Sequence, residues 1–312
     1  MDSAPLQRLG GLDPGVGAKL AVVVSVSGST YRGPGAMRLW VDGEAPRGVI
    51  GGGCVEADLD ARPAPEGPGR LLSYDLAPGE EDPFSLGAGC GGRVDVWLQA
   101  LQPGRPHPYR SAARWVAAGL PAAVSTVLPA GLQWAEGPGG RFCGGPARAA
   151  ASGERLFVDR RAPAPELLVC GGGPDAAPLL DLGRRMGFRV RQAVGPDAAA
   201  AVRGSPAPDA AVVMGHHAAR DRAVLEALLS LPGGPPRYVG VVGPRARTAG
   251  LVPGPWPPCL HAPAGLDLGA EDAEEVALAI VAEVVAALRG HAGGRLGSRP
   301  GPIHPGRARA LP

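Results

Sequence analysis

"LLVCGGGPDAAPLLDLGRRMGFRVRQAV", residues 167–194, contains a short apolar run, a glycine turn, an amphipathic stretch of helical length and a second short run. That order of strand, turn, helix and strand is a βαβ unit, which requires a parallel sheet covered by helices. "DAAVVM", residues 209–214, and "RYVGVVG", residues 237–243, predict further buried strands, and residues 271–289 predict a long amphipathic helix. The sequence therefore predicts a Rossmann-like domain with a parallel sheet.

The N-terminal part of the sequence mixes strand and helix signals. Short β-branched or alternating runs predict the strands, and "DG" at Asp42 and Gly43 predicts a hairpin turn. One stretch has the acidic first turn that is favoured at a helix start. The predicted elements are strands at residues 20–26, 37–41, 47–51, 70–76 and 93–101 and a helix at residues 54–62.

Two segments rich in proline divide the chain, at residues 102–108 and 160–166. The predicted fold class is α/β, with an N-terminal α+β domain followed by a Rossmann-like parallel-sheet domain. The predicted divisions are an N-terminal domain at residues 1–104, a connecting segment at 105–160, the Rossmann-like domain at 161–289 and a disordered tail at 290–312.

Composition restricts the partners and the location of the protein. The 31 basic and 29 acidic residues give a formal net charge of +2, too small to attract nucleic acid or an anionic membrane. The N-terminus lacks the pattern of a secretory signal, and no apolar run is long enough for a membrane span. Five widely spaced cysteines match no disulfide framework. We expect a cytoplasmic protein with free thiols and with no nucleic-acid or membrane partner.

One cysteine stands after a run of three glycines, Gly51, Gly52 and Gly53, at the predicted start of a helix. The positive end of the helix dipole and the free N–H groups there stabilise a thiolate, so Cys54 is a candidate for a reactive or ligating thiol. The alternative is a small buried apolar residue beside a turn.

A second cysteine, Cys90, lies among Gly89, Gly91 and Gly92 at the entrance of a predicted strand. Glycines there allow close approach of a ligand and can present consecutive N–H groups as an anion-binding nest. The alternative is a plain glycine loop. No CxxC pair or neighbouring histidine supports a structural zinc site for either cysteine.

"GGGPDA" fits the pattern G-x-G-x-x-A after a strand and before a helix, so Gly171 and Gly173 are candidates for a phosphate-binding turn. A nicotinamide site also needs an acidic residue about 20 positions further on, for the ribose hydroxyls. The second strand has none, and Gly195 follows it instead. Arg189 and Arg191 could serve a 2′-phosphate, and the alternative is a tight turn with no ligand.

Two further strand ends carry polar side chains. "MGHHAARD" contains His216 and His217, and "GPRAR" offers Arg245 and Arg247 for a bidentate grip on phosphate. Ligand crevices of open α/β sheets lie at the carboxyl ends of the strands, so we expect a cluster there. The alternatives are loop histidines and a solvated helix start. The expected cluster consists of Gly171, Gly173, His216 and Arg245.

Seven collinear stretches make the chain resemble the XdhC/CoxI family, over residues 20–105 and 166–289. They are "GSTYRGPGAMRL", "GVIGGGCVEADL", "LGAGCGGRVDVWL", "LLVCGGGPDAAPLLDLGRRMGFRV", "VVMGHHAARDRAVLEALL", "YVGVVGPRAR" and "HAPAGLDLGAEDAEEVALAIVAEV". Family members are accessory proteins that mature molybdenum hydroxylases such as xanthine dehydrogenase. The chain departs from the family at residues 215–218, in place of a Thr-His-Asp-His-like loop, at Gly195, in place of an Asp, and at Pro244, in place of a frequent Ser.

The resemblance implies a chaperone with no turnover of its own. It would bind the molybdenum cofactor, support its sulfuration by a cysteine desulfurase and deliver it to an apo molybdenum hydroxylase, and a homodimer is a further expectation. Thiolate chemistry suggests contacts of Cys54 and Cys90 with molybdenum or sulfur, with glycine N–H groups facing the anionic ligand. The predicted cofactor-binding residues are Gly51, Gly52, Gly53, Cys54, Gly89, Cys90, Gly91, Gly92, Gly171, Gly173, His216 and Arg245.

Two other classes of protein remain open from the sequence. One is an NADP-dependent oxidoreductase that uses the C-terminal sheet, although no proton donor is evident beside a nicotinamide site. The other is a scaffold that only bridges the desulfurase and the hydroxylase.

Overall fold

The structure, a computed structural model, describes residues 4–76, 92–145 and 147–298. The chain divides between Pro163 and Ala164 into two compact units. Within the described ranges, no helix combines the length and the apolar character needed to cross a membrane.

The first unit contains two four-stranded antiparallel sheets, with strand orders β2-β1-β4-β3 and β7-β6-β5-β8. Its elements are α1 (Ala4–Gly10), β1 (Ala18–Ser27), β2 (Met37–Val41), α2 (Cys54–Ala61), β3 (Arg70–Asp75), β4 (Arg93–Leu101), α3 (Pro108–Ala117), β5 (Ala122–Leu128), β6 (Leu132–Gly137), β7 (Arg141–Gly144) and β8 (Arg155–Arg161).

Strand β1 is buried on both faces because successive side chains point to opposite sides of a strand. Leu20 and Val22 pack into a core with α1, α3 and the second sheet. Ala21 and Val23 pack into another core, which includes Val55 of α2. One strand therefore supports both layers of the first unit.

The segment 105–160 does more than connect two domains, which corrects the predicted division. It forms α3 and strands β5 to β8, and Tyr109, Val124 and Phe157 share a hydrophobic core with Leu20 of β1. Its strands are four to seven residues long and are separated by turns that contain glycine or proline, so the sequence does not show that they form one sheet. The residues of this segment belong to the first unit.

The predicted returning strand at residues 47–51 is reduced to a single bridge between Leu39 and Arg47. Gly48 has φ +93°, and a Cβ there would lie 2.1 Å from the carbonyl oxygen of Met37, so the chain turns away from β2. The chain then leaves the sheet and leads to α2.

The second unit is a parallel sheet with strand order β10-β9-β11-β12-β13, which confirms the predicted Rossmann-like fold. Helices α4 and α8 cover one face, and helices α5, α6 and α7 cover the other. The elements are β9 (Glu166–Cys170), α4 (Ala176–Arg185), β10 (Arg189–Ala193), α5 (Ala198–Arg203), β11 (Ala210–Val213), α6 (Ala218–Leu229), β12 (Tyr238–Val241), α7 (Arg245–Leu251), β13 (Leu260–His261) and α8 (Ala273–Leu288).

Candidate functional site

The first candidate region is the turn of residues 51–53, which we call the first glycine turn, just before α2. Gly52 and Gly53 have φ values of +77° and +128°, a left-handed conformation that favours glycine. Among the residues that the structure describes, and apart from its chain neighbours, no heavy atom would lie within 4 Å of a Cβ added to Gly53. The backbone of Cys54 begins α2 at this point.

The donors of this turn are bonded to a side chain of the same unit. Glu56 accepts hydrogen bonds from the N–H groups of Ile50 at 2.5 Å, Gly51 at 2.7 Å and Gly53 at 2.8 Å. Burial opposes ionisation of Glu56, but these backbone donors outweigh it and hold the pKa of its carboxyl below the ordinary value. The N–H groups of Gly51 and Gly53 are thus bonded to a carboxylate of their own unit, and their predicted contact with a bound anion stays a prediction.

The loop of residues 28–36, which we call the covering loop, lies against Gly52 of the first glycine turn and against Gly92. A Cβ on Gly52 would lie 3.7 Å from the ring of Tyr31, whose side chain is 56% exposed. A Cβ on Gly92 would lie 2.4 Å from the carbonyl oxygen of Ser29 and 2.8 Å from Cγ2 of Thr30. The chain around residues 29–31 is thus adjacent to Gly52 and to Gly92.

A buried polar cluster holds the far end of the covering loop. Arg161 in β8 donates from Nη2 to the carbonyl oxygen of Gly35 and to Oδ2 of Asp159, each at 2.6 Å. Tyr109 donates its hydroxyl to the same carboxylate at 3.2 Å. Burial, and then the charge of Asp159, raise the pKa of Tyr109 well above its ordinary value, so the phenol stays protonated and remains a donor.

Several predicted site residues lie outside the described residues. These are Gly89, Cys90 and Gly91, so the predicted proximity of Cys54 and Cys90 stays a prediction. In the part of the chain that the structure describes, no three His, Cys, Asp or Glu side chains gather in a way that could hold a metal ion.

The second candidate region is the carboxyl edge of the parallel sheet. The second glycine turn, residues 171–173, follows β9, and a Cβ on Gly173 would lie 3.2 Å from Nε2 of His216, which follows β11. Arg245 begins α7 after β12, and its guanidinium lies over the ring of Trp256, 4.9 Å from the centroid. The structure thus brings His216 to the second glycine turn, and the topology places Arg245 at the same edge.

Arg247, the second arginine considered for a phosphate grip, has internal partners. It donates to the carbonyl oxygens of Val242 and Gly215, both at 2.7 Å, and forms an ion pair with the buried Asp221. Burial raises the pKa of Asp221 above its ordinary value, and the positive charge of Arg247 only partly opposes this shift. Arg247 therefore ties the two strand-end loops together.

Two arginines proposed for a 2′-phosphate are occupied at the other end of the sheet. Arg191 donates to the carboxylate of Glu166 at 2.9 Å, and Arg189 donates to the carbonyl oxygen of Ala164 at 3.1 Å. Glu166 is the first residue of β9, so both arginines are bonded at the amino end of that strand. A role of these arginines toward a 2′-phosphate stays a prediction, and it would require them to leave these partners.

The start of α4 is also poor in phosphate donors. Pro174 and Pro178 have no backbone N–H, and Asp175 adds an exposed negative charge directly after the second glycine turn. The buried thiol of Cys170, at the end of β9, has its pKa raised to about 12 by burial, so it is no thiolate at neutral pH. The carboxyl edge of the sheet therefore has the topology of a dinucleotide site, but two prolines there cannot donate a backbone N–H to phosphate.

Sequence reasoning missed the side chains that organise the first unit. Glu56 stands three residues after Gly53, which is the spacing of a capping box and was a usable signal. Asp159 and Arg161 share one face of β8, and opposite charges two residues apart on a strand were a weaker signal. Nothing in the local sequence indicated that Tyr31 lies beside Gly52.

The fold and its turns define a two-unit α/β protein with a Rossmann-type second unit. A family model described as XdhC and CoxI family matches residues 12–75, and one described as XdhC Rossmann domain matches residues 167–284. The chain belongs to the XdhC and CoxI family. This confirms the resemblance that the seven sequence stretches indicated.

Two relatives match over most of their length. A Bacillus subtilis protein, named as a probable subunit of xanthine dehydrogenase, is 28% identical over 307 residues, which cover 86% of this chain and 92% of that protein. A crystal structure described as a xanthine dehydrogenase from Bacillus halodurans is 25% identical, with a TM-score of 0.76, and the match covers 96% of this chain and 98% of that one. Both units therefore have counterparts in these relatives.

Proposed function

We propose that this protein is an accessory factor of a xanthine dehydrogenase-type molybdenum hydroxylase, and that the first unit carries the molybdenum cofactor as cargo. The names of the two relatives and the family membership support the accessory role. In this proposal, a cysteine desulfurase sulfurates the cofactor while it is held, and the protein then passes it to the apo-hydroxylase.

The observation that carries the proposal is the contact of one loop with Gly52 of the first glycine turn and with Gly92. Ser29 and Thr30 lie against Gly92, and Tyr31 lies against Gly52. Beside them, no described residue other than its chain neighbours lies within 4 Å of the Cβ position of Gly53, which leaves room for a ligand to approach the backbone there. A cofactor could thus be reached both from Cys54 and from the chain that leads to Gly92.

The fit with an anionic cofactor differs from a simple nest of N–H groups. The carboxylate of Glu56 accepts hydrogen bonds from the N–H groups of Gly51 and Gly53, so these bonds hold the first glycine turn in place without a bound anion. The attraction for the cargo comes instead from the N-terminus of α2, which favours a thiolate at Cys54. The soft thiolate is suited to the molybdenum or sulfur of the cofactor.

The direct test is to purify the protein from cells that make the cofactor and to measure bound molybdenum and pterin per chain. We expect both to co-purify, and we expect Cys54→Ser and Cys90→Ser to lower their content while leaving the circular dichroism unchanged. Cys259→Ser is the matched control, because Cys259 lies in the second unit, and it should retain cofactor as the parent does.

Three results would contradict the proposal. Absence of molybdenum and pterin in the parent protein would remove the cargo. Equal retention and transfer by both cysteine variants would remove the thiols from the site. Oxidation of NADPH with a small substrate by the purified protein would favour the oxidoreductase class instead.

A further inference from the structure

We propose that Asp159 and Arg161, the positioning pair of β8, hold the covering loop in place over the first glycine turn and Gly92, and so shape the cofactor site. This inference rests on the proposed function for its consequence, since the site is that of the proposed cargo. Neither residue lies within the ranges matched by the family models, which leave out residues 76–166. The pair therefore gives the second sheet of the first unit a role in binding.

The contact between the pair and the loop depends on a glycine. Gly35 has φ +87°, and a Cβ at this position would lie 3.2 Å from Oδ1 of Asp159 and 3.7 Å from Nη2 of Arg161. The loop backbone can approach the pair this closely only without a side chain. Arg161 then donates to the carbonyl oxygen of Gly35 at 2.6 Å.

The two charged side chains that make this contact are buried. Asp159 is 5% exposed and Arg161 is 8% exposed, so their ion pair is shielded from solvent and is not screened as a surface pair would be. Tyr109 of α3 donates to the same carboxylate and is also buried. The guanidinium therefore has a fixed position from which it binds the loop carbonyl.

Backbone hydrogen bonds hold Gly35 in place, and only a short stretch of the covering loop separates it from the candidate site. Its N–H donates to the carbonyl oxygen of Val23 in β1 at 2.8 Å, and the N–H of Ala36 donates to Gly33 at 3.1 Å. Pro34 further restricts the chain between these bonds. Only a few residues separate this anchored end from Tyr31, which lies on Gly52, and from Ser29, which lies on Gly92.

A second arginine of the same strand supports the other side of the region. Arg155 forms an ion pair with Asp95 of β4 at 3.4 Å, close to Gly92 in the sequence. Both links between β8 and the candidate site thus use arginine side chains. The Arg155 pair is more exposed, so we expect it to contribute less than the pair formed by Arg161.

The test replaces the pair by apolar residues, Asp159→Leu with Arg161→Met, because removing only one partner would leave a buried charge. Hydrogen exchange of the peptide covering residues 28–36 is measured by mass spectrometry on cofactor-free protein. We expect the Gly35 and Ala36 amides to exchange about tenfold faster than in the parent. The thermal midpoint should fall, since the buried hydroxyl of Tyr109 also loses its acceptor, and exchange is therefore compared at a temperature well below both midpoints. In protein from cofactor-producing cells, we expect bound pterin to fall.

The control is Arg160→Ala, because Arg160 is an exposed neighbour on the same strand, and this variant should match the parent in both measurements. If the double variant does not fold, Arg161→Lys keeps the charge but lacks the guanidinium fork, and we expect faster loop exchange in the folded protein. Unchanged exchange of residues 28–36 in the folded variant would overturn the inference. A parent without pterin would refute the proposed function, whereas the exchange result would still decide the role of the pair.

Discussion

Glu56 stabilises the first unit through its ionised carboxylate. Its folded-state pKa is below the ordinary value of 4.5, so its contribution is present above pH 4.5 and is lost as the pH falls through the folded-state pKa. In Glu56→Gln, one amide oxygen replaces two carboxylate oxygens that accept from Ile50, Gly51 and Gly53. We expect the free energy of unfolding to drop by about 1–3 kcal/mol at neutral pH.

The pH dependence separates this effect from a general loss of packing. The difference between Glu56→Gln and the parent should be largest at neutral pH and should shrink at acidic pH, as the pH falls through the lowered folded-state pKa of Glu56. Urea unfolding at both pH values measures it. Glu66→Gln, at an exposed position beyond α2, is the control and should change little. A difference that is independent of pH would contradict the role of the carboxylate.

Gly215 is required by the packing of Asp221. A Cβ at Gly215 would lie 2.1 Å from Oδ1 of Asp221, a buried side chain held by Arg247, so the added methyl group has no room. Gly215→Ala should therefore lower the free energy of unfolding by about 1–3 kcal/mol. Gly250→Ala is the matched control, because no atom lies within 4 Å of its Cβ position in α7, and it should be neutral or slightly stabilising. Equal midpoints for both variants in thermal unfolding would contradict this account.

Elements with a regular pattern could be predicted from the sequence, and elements shaped by distant contacts could not. The run of residues 93–101 alternates, and Val94, Val96 and Leu98 do lie in one core, as expected. Residues 47–51 have strand-forming composition, but Gly48 turns the chain away from β2 and Glu56 binds the N–H groups that a sheet would use. A side chain that competes for backbone donors is not visible in local periodicity.

The candidate site also combines features that have local sequence signals with features that depend on distant contacts. The sequence located both glycine turns and the strand-end residues His216 and Arg245, because turns and strand ends have local signals. It did not identify the partners of Arg189, Arg191 or Arg247, because an arginine has the same pattern whether it binds a ligand or a carboxylate of its own chain. The distinction depends on tertiary contacts with Glu166 and Asp221.

The side chain of Arg247 joins the loops that follow the neighbouring strands β11 and β12. Arg247→Met removes the bonds to the loops after both strands and leaves the buried Asp221 without its cation. We expect a loss of about 3 kcal/mol in the free energy of unfolding at neutral pH. The double variant Asp221→Leu with Arg247→Met should recover most of it, since no charge is then left buried.

The pKa shift of Asp221 is opposite to that of Glu56, although the deficits of Arg247→Met and Glu56→Gln should both shrink on acidification. Burial already raises the pKa of Asp221 above the ordinary 3.8, and loss of Arg247 should raise it further. A raised folded-state pKa favours the fold below the ordinary value, and this advantage is lost as the pH rises through the folded-state pKa. The deficit of the variant should thus diminish on acidification. A deficit that stays constant or grows as the pH falls would contradict a raised pKa of Asp221 in the variant.

The second unit has the topology of a dinucleotide-binding domain, but three of the arginines considered as phosphate donors form hydrogen bonds with other groups of the same unit. Arg189 and Arg191 bond at the amino edge of the sheet, and Arg247 bonds Asp221 and two carbonyl groups. Val194, 55% exposed, stands beside the second glycine turn, where an acid would bind ribose hydroxyls. A fold shared with dehydrogenases therefore does not by itself imply their reaction.

Calorimetric titration of the full-length protein with NAD and NADP tests this conclusion. We expect dissociation constants of about 1 mM or weaker, which correspond to a binding free energy near −4 kcal/mol. Val194→Asp restores a carboxylate next to Gly172, because Cγ1 of Val194 is 3.2 Å from the Cβ position of Gly172. This variant should bind NAD more tightly than the parent if only the acid is lacking, and as weakly as the parent if the missing phosphate donors at Pro174 also limit binding. Micromolar affinity of the unmodified protein for either nucleotide would contradict the conclusion and would return the second unit to the oxidoreductase class.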